Sequence, residues 1–165
     1  MGRELPAEPA WVHGHAHDPN LVAPPGDGSF DVRLPAGQRV HLPLSYLRPL
    51  PSTTVGQCYI LSTGHGTSGP FVFGGVRLEV LLAHLLAGAS WEVLDVISAD
   101  GFGTRLTPGD LQGAGQPILL AYDLDGTPLT RARGLVRLVV PSETDDALRQ
   151  VKWVDRIEIQ AERVK

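Results

Sequence analysis

Three stretches decide how this chain is read: PILLAYDLDGTPL (117–129), GLVRLVVP (134–141) and VKWVDRIEI (151–159). The first is an apolar run closing on Asp125-Gly126. That dipeptide is a strong hairpin signal, because both central positions of a tight two-residue turn need a left-handed backbone. The other two are rich in β-branched residues and read as further strands, with the polar SETDDALRQ (142–150) between them as a loop or short helix.

The same logic extends upstream. FDVRL (30–34) and RVHLPL (39–44) alternate apolar and polar residues around the turn residues PAG (35–37), which predicts a β-hairpin. TTVGQCYILST (53–63) and WEVLDVIS (91–98) predict two strands. DGFG (100–103) predicts a turn, and TPGDL (107–111) a capped helical turn or a loop. SYLRPLP (45–51) permits one short helical turn capped by Ser45. In GVRLEVLLAHLLAG (75–88), Leu78, Leu81, Leu82 and Leu85 fall at helical spacing and Gly88 stands where the helix should stop. GHGTSGP (64–70) reads wholly as loop.

The chain has 165 residues, 42% hydrophobic and 19% charged, with 19 Gly and 14 Pro. This is enough for one domain with a real core, built from many short elements joined by turns. Residues 1–29 show no periodicity and read as a flexible N-terminal arm, and residues 30–165 as the domain. The formal charge is −4 and no Lys or Arg stripe is present, so nucleic acid is not expected as a partner. With Cys58 alone there can be no internal disulfide, and the start lacks the apolar core of a secretory signal; the expectation is a cytoplasmic protein without a membrane span.

Several residues could carry chemistry. In an extended arm His13, His15 and His17, just before Asp18, would project alike at about 6–7 Å spacing, enough for two to chelate a divalent ion; a solvated tail is the competing reading. His65 could carry a proton or ligate a metal, or be an ordinary loop histidine. GHGTSG lacks the Gly-Lys-Ser/Thr of a phosphate loop and the strand-to-helix frame of a nucleophile elbow. DLDG (123–126) has no Glu at the twelfth position of a calcium loop.

With DGFGTRL (100–106) and FGGVRLEVLL (73–82), the order of these segments resembles the oxidoreductase molybdopterin-binding domain of the sulfite oxidase family, over roughly residues 42–160. The resemblance implies an α+β fold of mixed and antiparallel β-sheets with a few short helices. It also implies a molybdenum-molybdopterin cofactor and oxygen-atom transfer, with a small-molecule substrate or redox partner that the residues do not specify. Cys58 would be the thiolate on the metal. It lies 17 residues before Gly75, and an ungapped comparison instead puts Ser62 or Thr63 at that position; a buried Cys58 on its strand is the other reading. Arg137 and Lys152 would contact the pterin or its phosphate, one by bidentate donation and one as a point charge. Both could instead be outward residues of alternating strands.

The resemblance places Arg105, Tyr122 and His65 on the substrate side; an exposed loop arginine and a packed tyrosine are the plainer readings. The chain lacks the arginine-asparagine-histidine and glycine-asparagine-arginine runs of larger catalytic members. A cofactor-dependent oxidoreductase and a binding module that has lost its metal therefore both stand.

Overall fold

The computed structural model describes residues 26–62, 66–113, 116–131, 134–140 and 151–161, with the backbone alone over 57–62 and 66–69. In chain order the elements are β1 (Phe30–Arg33), β2 (Arg39–Leu42), α1 (Leu44–Leu47), β3 (Thr53–Ser62), β4 (Gly66–Arg77), α2 (Leu78–Leu86) and β5 (Val93–Ser98). They continue as β6 (Gly103–Leu106), α3 (Pro108–Gly113), β7 (Leu119–Leu124), β8 (Thr127–Pro128), β9 (Arg137–Val139) and β10 (Val154–Gln160). One sheet runs β2-β1-β10-β5-β6; in the other β4 lies between β3 and β7, and β7 carries both β8 and β9 on its far edge. Among the described strands only β1 and β10 pair in parallel.

The turn chemistry behaves as its residues require. Asp125 (φ 49°) and Gly126 (φ 85°) are both left-handed and join β7 to β8. The Asp125 carboxylate also accepts the Val72 N–H at 2.9 Å, which ties this turn to β4. At α3, Thr107 N donates to Asp110 Oδ2 at 2.8 Å and Asp110 N to Thr107 Oγ1 at 3.3 Å. This reciprocal pair satisfies donors that a helix start leaves open. Helix α2 ends in two left-handed residues, Ala87 (φ 49°) and then Gly88 (φ 90°), so the stop begins one residue before the glycine.

Two local expectations need correction. Pro43, not Ser45, occupies the cap position of α1, and no side chain caps it; Ser45 lies inside a helix too short to need one. GHGTSGP is strand from Gly66 onward: Ser62, Leu61 and Ile60 pair with Gly66, Thr67 and Ser68. A hydrogen-bonding neighbour overrides the weak strand preference of Gly, Ser and Pro, and Pro70 falls where the register slips, a place that tolerates a missing N–H.

The main core lies between the sheets. Phe30, Val32, Leu94, Val96, Ile157 and Ile159 from one meet Val76, Leu120, Tyr122 and Leu138 from the other, with Leu47 of α1 and Leu78, Leu81 and Leu82 of α2 closing it. The opposite face of the second sheet buries a smaller cluster of Val55, Phe73, Leu119, Ala121, Leu129 and Val139. β7 thus alternates between two apolar environments, which is why PILLAYDL shows no period of two in its sequence. Among the described residues no helix is long and apolar enough to cross a membrane.

Candidate functional site

Arg137 is a buried arginine, 3% exposed on a strand that is buried throughout. Its register explains its direction. Arg137 stands opposite Ala121, and Ala121 opposite Gly75, so Arg137 shares the face of the smaller cluster, and its guanidinium carbon lies 5.6 Å from the Phe73 ring centre. Cation over aromatic face is an attractive arrangement that strengthens when water is excluded.

Gly134 brings a second cation to the same place. It is left-handed (φ +112°), and a Cβ built on it would fall 2.8 Å from Arg137 Cγ, 3.2 Å from Arg137 Cδ and 3.4 Å from Lys152 Cγ. The two stems therefore pack on one bare backbone carbon, arriving from two strand-end segments 15 residues apart. Lys152 then carries its ammonium to 5.2 Å from the Trp153 ring centre.

The backbone around this pair is held in an uncommon shape. Leu135 (φ 56°) and Trp153 (φ 48°) are left-handed without being glycine, a conformation costing on the order of 1–3 kcal/mol that the surroundings must impose. Four hydrogen bonds do so: Trp153 N to Gly134 O (3.1 Å), Leu135 N to Thr130 O (3.1 Å), Val154 N to Val136 O (3.1 Å) and Trp153 Nε1 to Arg131 O (2.6 Å). Behind this clasp a cleft of about 210 Å³ opens, lined by Ser29, His41, Gly134, Trp153 and Asp155 among others.

Cys58 belongs to the same sheet. Its backbone stands opposite Phe71, with a register shift on either side. Phe71 packs on the smaller cluster, its ring 5.9 Å from that of Phe73, the residue beneath Arg137. A continuous series of neighbours thus runs from the Cys58 register position through two phenylalanines to Arg137 and, across Gly134, to Lys152.

The other expected residues lie elsewhere. Arg105 is on β6, in the other sheet, and forms a buried two-point ion pair with Asp95: Nε to Oδ1 at 2.7 Å and Nη2 to Oδ2 at 3.0 Å. It is neither exposed nor in a loop. Tyr122 faces the main core, on the side of the sheet away from Arg137. The register steps from Gly75↔Ala121 to Gly74↔Asp123, leaving Tyr122 as the extra residue of a bulge. One guanidinium, Arg48, meets both bulge side chains, 4.6 Å from the Tyr122 ring centre and 3.6 Å from Asp123 Oδ1. His65 and the arm with His13, His15, His17 and Asp18 lie outside the described residues.

Burial pushes the Tyr122 phenol above its ordinary 10.0, the Asp123 charge adds to this, and Arg48 opposes it. A phenol whose folded value is raised contributes stability that is complete below the unfolded value and is lost as pH climbs through the folded one. In an ultraviolet alkaline titration, Tyr122 should ionise later than a free tyrosine. Arg48→Ala should delay it further, and an unchanged curve in that variant would remove Arg48 from the account.

The fold and this pair of cations are the background for comparison with known proteins. Residues 29–165 match the family described as oxidoreductase molybdopterin binding domain. The chain belongs to that family. Among solved structures it is similar to the sulfane dehydrogenase SoxCD from Paracoccus pantotrophus, with a TM-score of 0.68 and 22% sequence identity over 86% of this chain. That likeness concerns the fold, and the chain spans 41% of the SoxCD chain it matches. No curated protein matches the sequence.

Sequence reasoning singled out Arg137 and Lys152 and did not name four residues that shape their surroundings or those of their expected companions: Gly134, Phe73, Asp95 and Arg48. Asp95 was detectable, since an acid in the middle of the apolar run VLDVIS must find a cation or leave the strand. Gly134 was not, because the need for a bare Cα arises only when two separate stems arrive at it.

Proposed function

We propose that this domain binds a molybdenum-molybdopterin cofactor at the face of the second sheet that carries Arg137, and works as an oxidoreductase of the oxygen-atom-transfer type. The observation that carries this reading is the convergence of Arg137 and Lys152 on Gly134, whose missing side chain lets the two cationic stems pack side by side. The donors suit the group. A guanidinium donates two parallel N–H bonds to a phosphate or pterin oxygen, and the lysine adds a point charge. Phe73 lies beneath the buried Arg137 guanidinium, where exclusion of water strengthens its hold on an anion, and Trp153 lies beneath the Lys152 ammonium. Cys58 is the candidate thiolate, a soft donor suited to molybdenum. When bound, the metal centre would supply the two-electron chemistry; the protein's residues hold, orient and shield it.

The test is metal analysis and pterin fluorescence on protein expressed with molybdate. Retention of both is expected, with Cys58→Ser losing the metal. Arg137→Ala and Lys152→Ala should each weaken pterin retention roughly 10- to 100-fold, the size of a lost hydrogen bond to a charged group. Wild-type protein free of both signals would end the proposal.

A second reading, a binding module on the same scaffold without the metal, is favoured by Arg105 and Tyr122. The resemblance implies both on the substrate side, yet one is paired with Asp95 and the other faces the main core. Under that reading Cys58→Ser changes no metal content, because none is held.

A further inference from the structure

Over β2, β1 and β10 the first sheet turns one face to the main core and the other away from it. Phe30, Val32, Leu42, Ile157 and Ile159 enter the core, so their strand neighbours Asp31, Arg33, Arg39, His41, Arg156 and Glu158 stand on the opposite face. The register sets them in two rows. His41 lies beside Asp31 and Asp31 beside Arg156; Arg39 lies beside Arg33 and Arg33 beside Glu158.

Both carboxylates of these rows are already engaged. Asp31 Oδ1 is 2.8 Å from His41 Nδ1, and Glu158 Oε1 turns along its own strand to Arg156 Nε at 3.7 Å, not across to Arg33. Arg33 and Arg39 are exposed, and neither has an ion pair among the described residues. Two arginines thus face each other directly across a strand pair, an arrangement that costs stability. Protection of the sheet edge accounts for Arg39, because β2 is the outer strand. It does not account for Arg33, which sits on the strand inside it.

We propose that Arg33 and Arg39 form a docking point for an acidic segment of a partner protein. Cβ atoms of facing residues stand about 4.5–5.5 Å apart, close to the roughly 5–6 Å between side chains three or four residues apart on a helix. Each guanidinium can then take one carboxylate through two parallel N–H bonds. Neutralising the two charges also relieves the repulsion that the free protein carries. The surroundings select a protein over a uniformly charged polymer or a membrane. Asp31, Glu158 and, around the cleft at the start of β1, Asp27 and Asp155 would repel a continuous anionic surface. The proposal is independent of the cofactor reading, because these arginines lie on the first sheet and Arg137 on the second.

Fluorescence anisotropy of a labelled oligoglutamate peptide, titrated with the full chain, tests it. Binding is expected at low salt and should weaken as salt rises. Arg33→Glu and Arg39→Glu should each weaken it at least roughly 10-fold. Arg77→Glu, the same charge change at an exposed arginine at the end of β4, should leave it nearly unchanged. Arg39→Glu should also raise the urea midpoint, since an opposite pair replaces a like one; a lowered midpoint would mean that the arginines serve the fold, and overturns the proposal. Absence of binding at low salt overturns it too, as does equal weakening by all three substitutions, which would reduce the effect to net charge. Vesicles of equal phosphatidylserine and phosphatidylcholine that bind through Arg33 and Arg39 while the peptide does not would overturn it in favour of a membrane surface.

Discussion

Replacing Gly75 by alanine is expected to destabilise the protein by more than about 3 kcal/mol, or to prevent folding, with the loss read from urea denaturation. The single added carbon would fall 2.1 Å from Leu120 O and 2.6 Å from Ala121 Cα. Both are backbone atoms of the adjacent strand, so no side-chain rotation can make room. Gly75 sits where the register with β7 shifts, and the close approach of the two backbones is what lets Tyr122 bulge. Moving β7 away would also displace Ala121, and with it β9 and Arg137. Gly113→Ala is the control: nothing lies within 4 Å of the new carbon, and stability should change little. Equal effects of the two substitutions would refute the close-approach argument.

Arg105→Ala should cost about 3–5 kcal/mol, the penalty for leaving a buried charge without its partner. Asp95 is 1% exposed in the middle of a strand buried at every position. Removing the guanidinium strands its carboxylate among apolar neighbours. The double variant Asp95→Leu with Arg105→Leu should recover most of the loss, because apolar residues of similar volume commonly replace a buried ion pair at little cost. Failure of the double variant to recover would mean that Asp95 or Arg105 serves a further group. Neither substitution should alter cofactor retention, which separates this pair from Arg137 and Lys152.

Much of the architecture was legible in the residues. Two hairpins announced themselves through their turns: PAG between FDVRL and RVHLPL, and Asp125-Gly126 after the apolar run. The leucine spacing of α2 was equally plain, while TPGDL stood open between a capped turn and a loop. These are local features, decided by φ preferences, hydrogen-bonding side chains and periodicity within a few residues. The strand from Gly66 was not legible, since Gly, Thr, Ser and Pro adopt it only because β3 supplies the facing hydrogen bonds.

The site divides along the same line. The family resemblance pointed to Arg137 and Lys152 as a cationic pair, and composition to Cys58 as the one thiol available. Sequence could not place Arg105 or Tyr122, because each goes where a partner from another element directs it, to Asp95 across a strand pair and to Arg48 beside a bulge.

The amino-acid order by itself determined most of the strands, two of the turns, the helix of leucines and the kinds of side chain that could meet a charged ligand. Tertiary structure alone decided which of those side chains meet. A strand's two faces differ only once a second layer covers one of them, and a single bulge reassigns a residue from one face to the other. Gly134 shows this most directly: nothing in GLVRLVV marks it as a meeting point until β9 and the segment before β10 bring Arg137 and Lys152 against the same bare carbon.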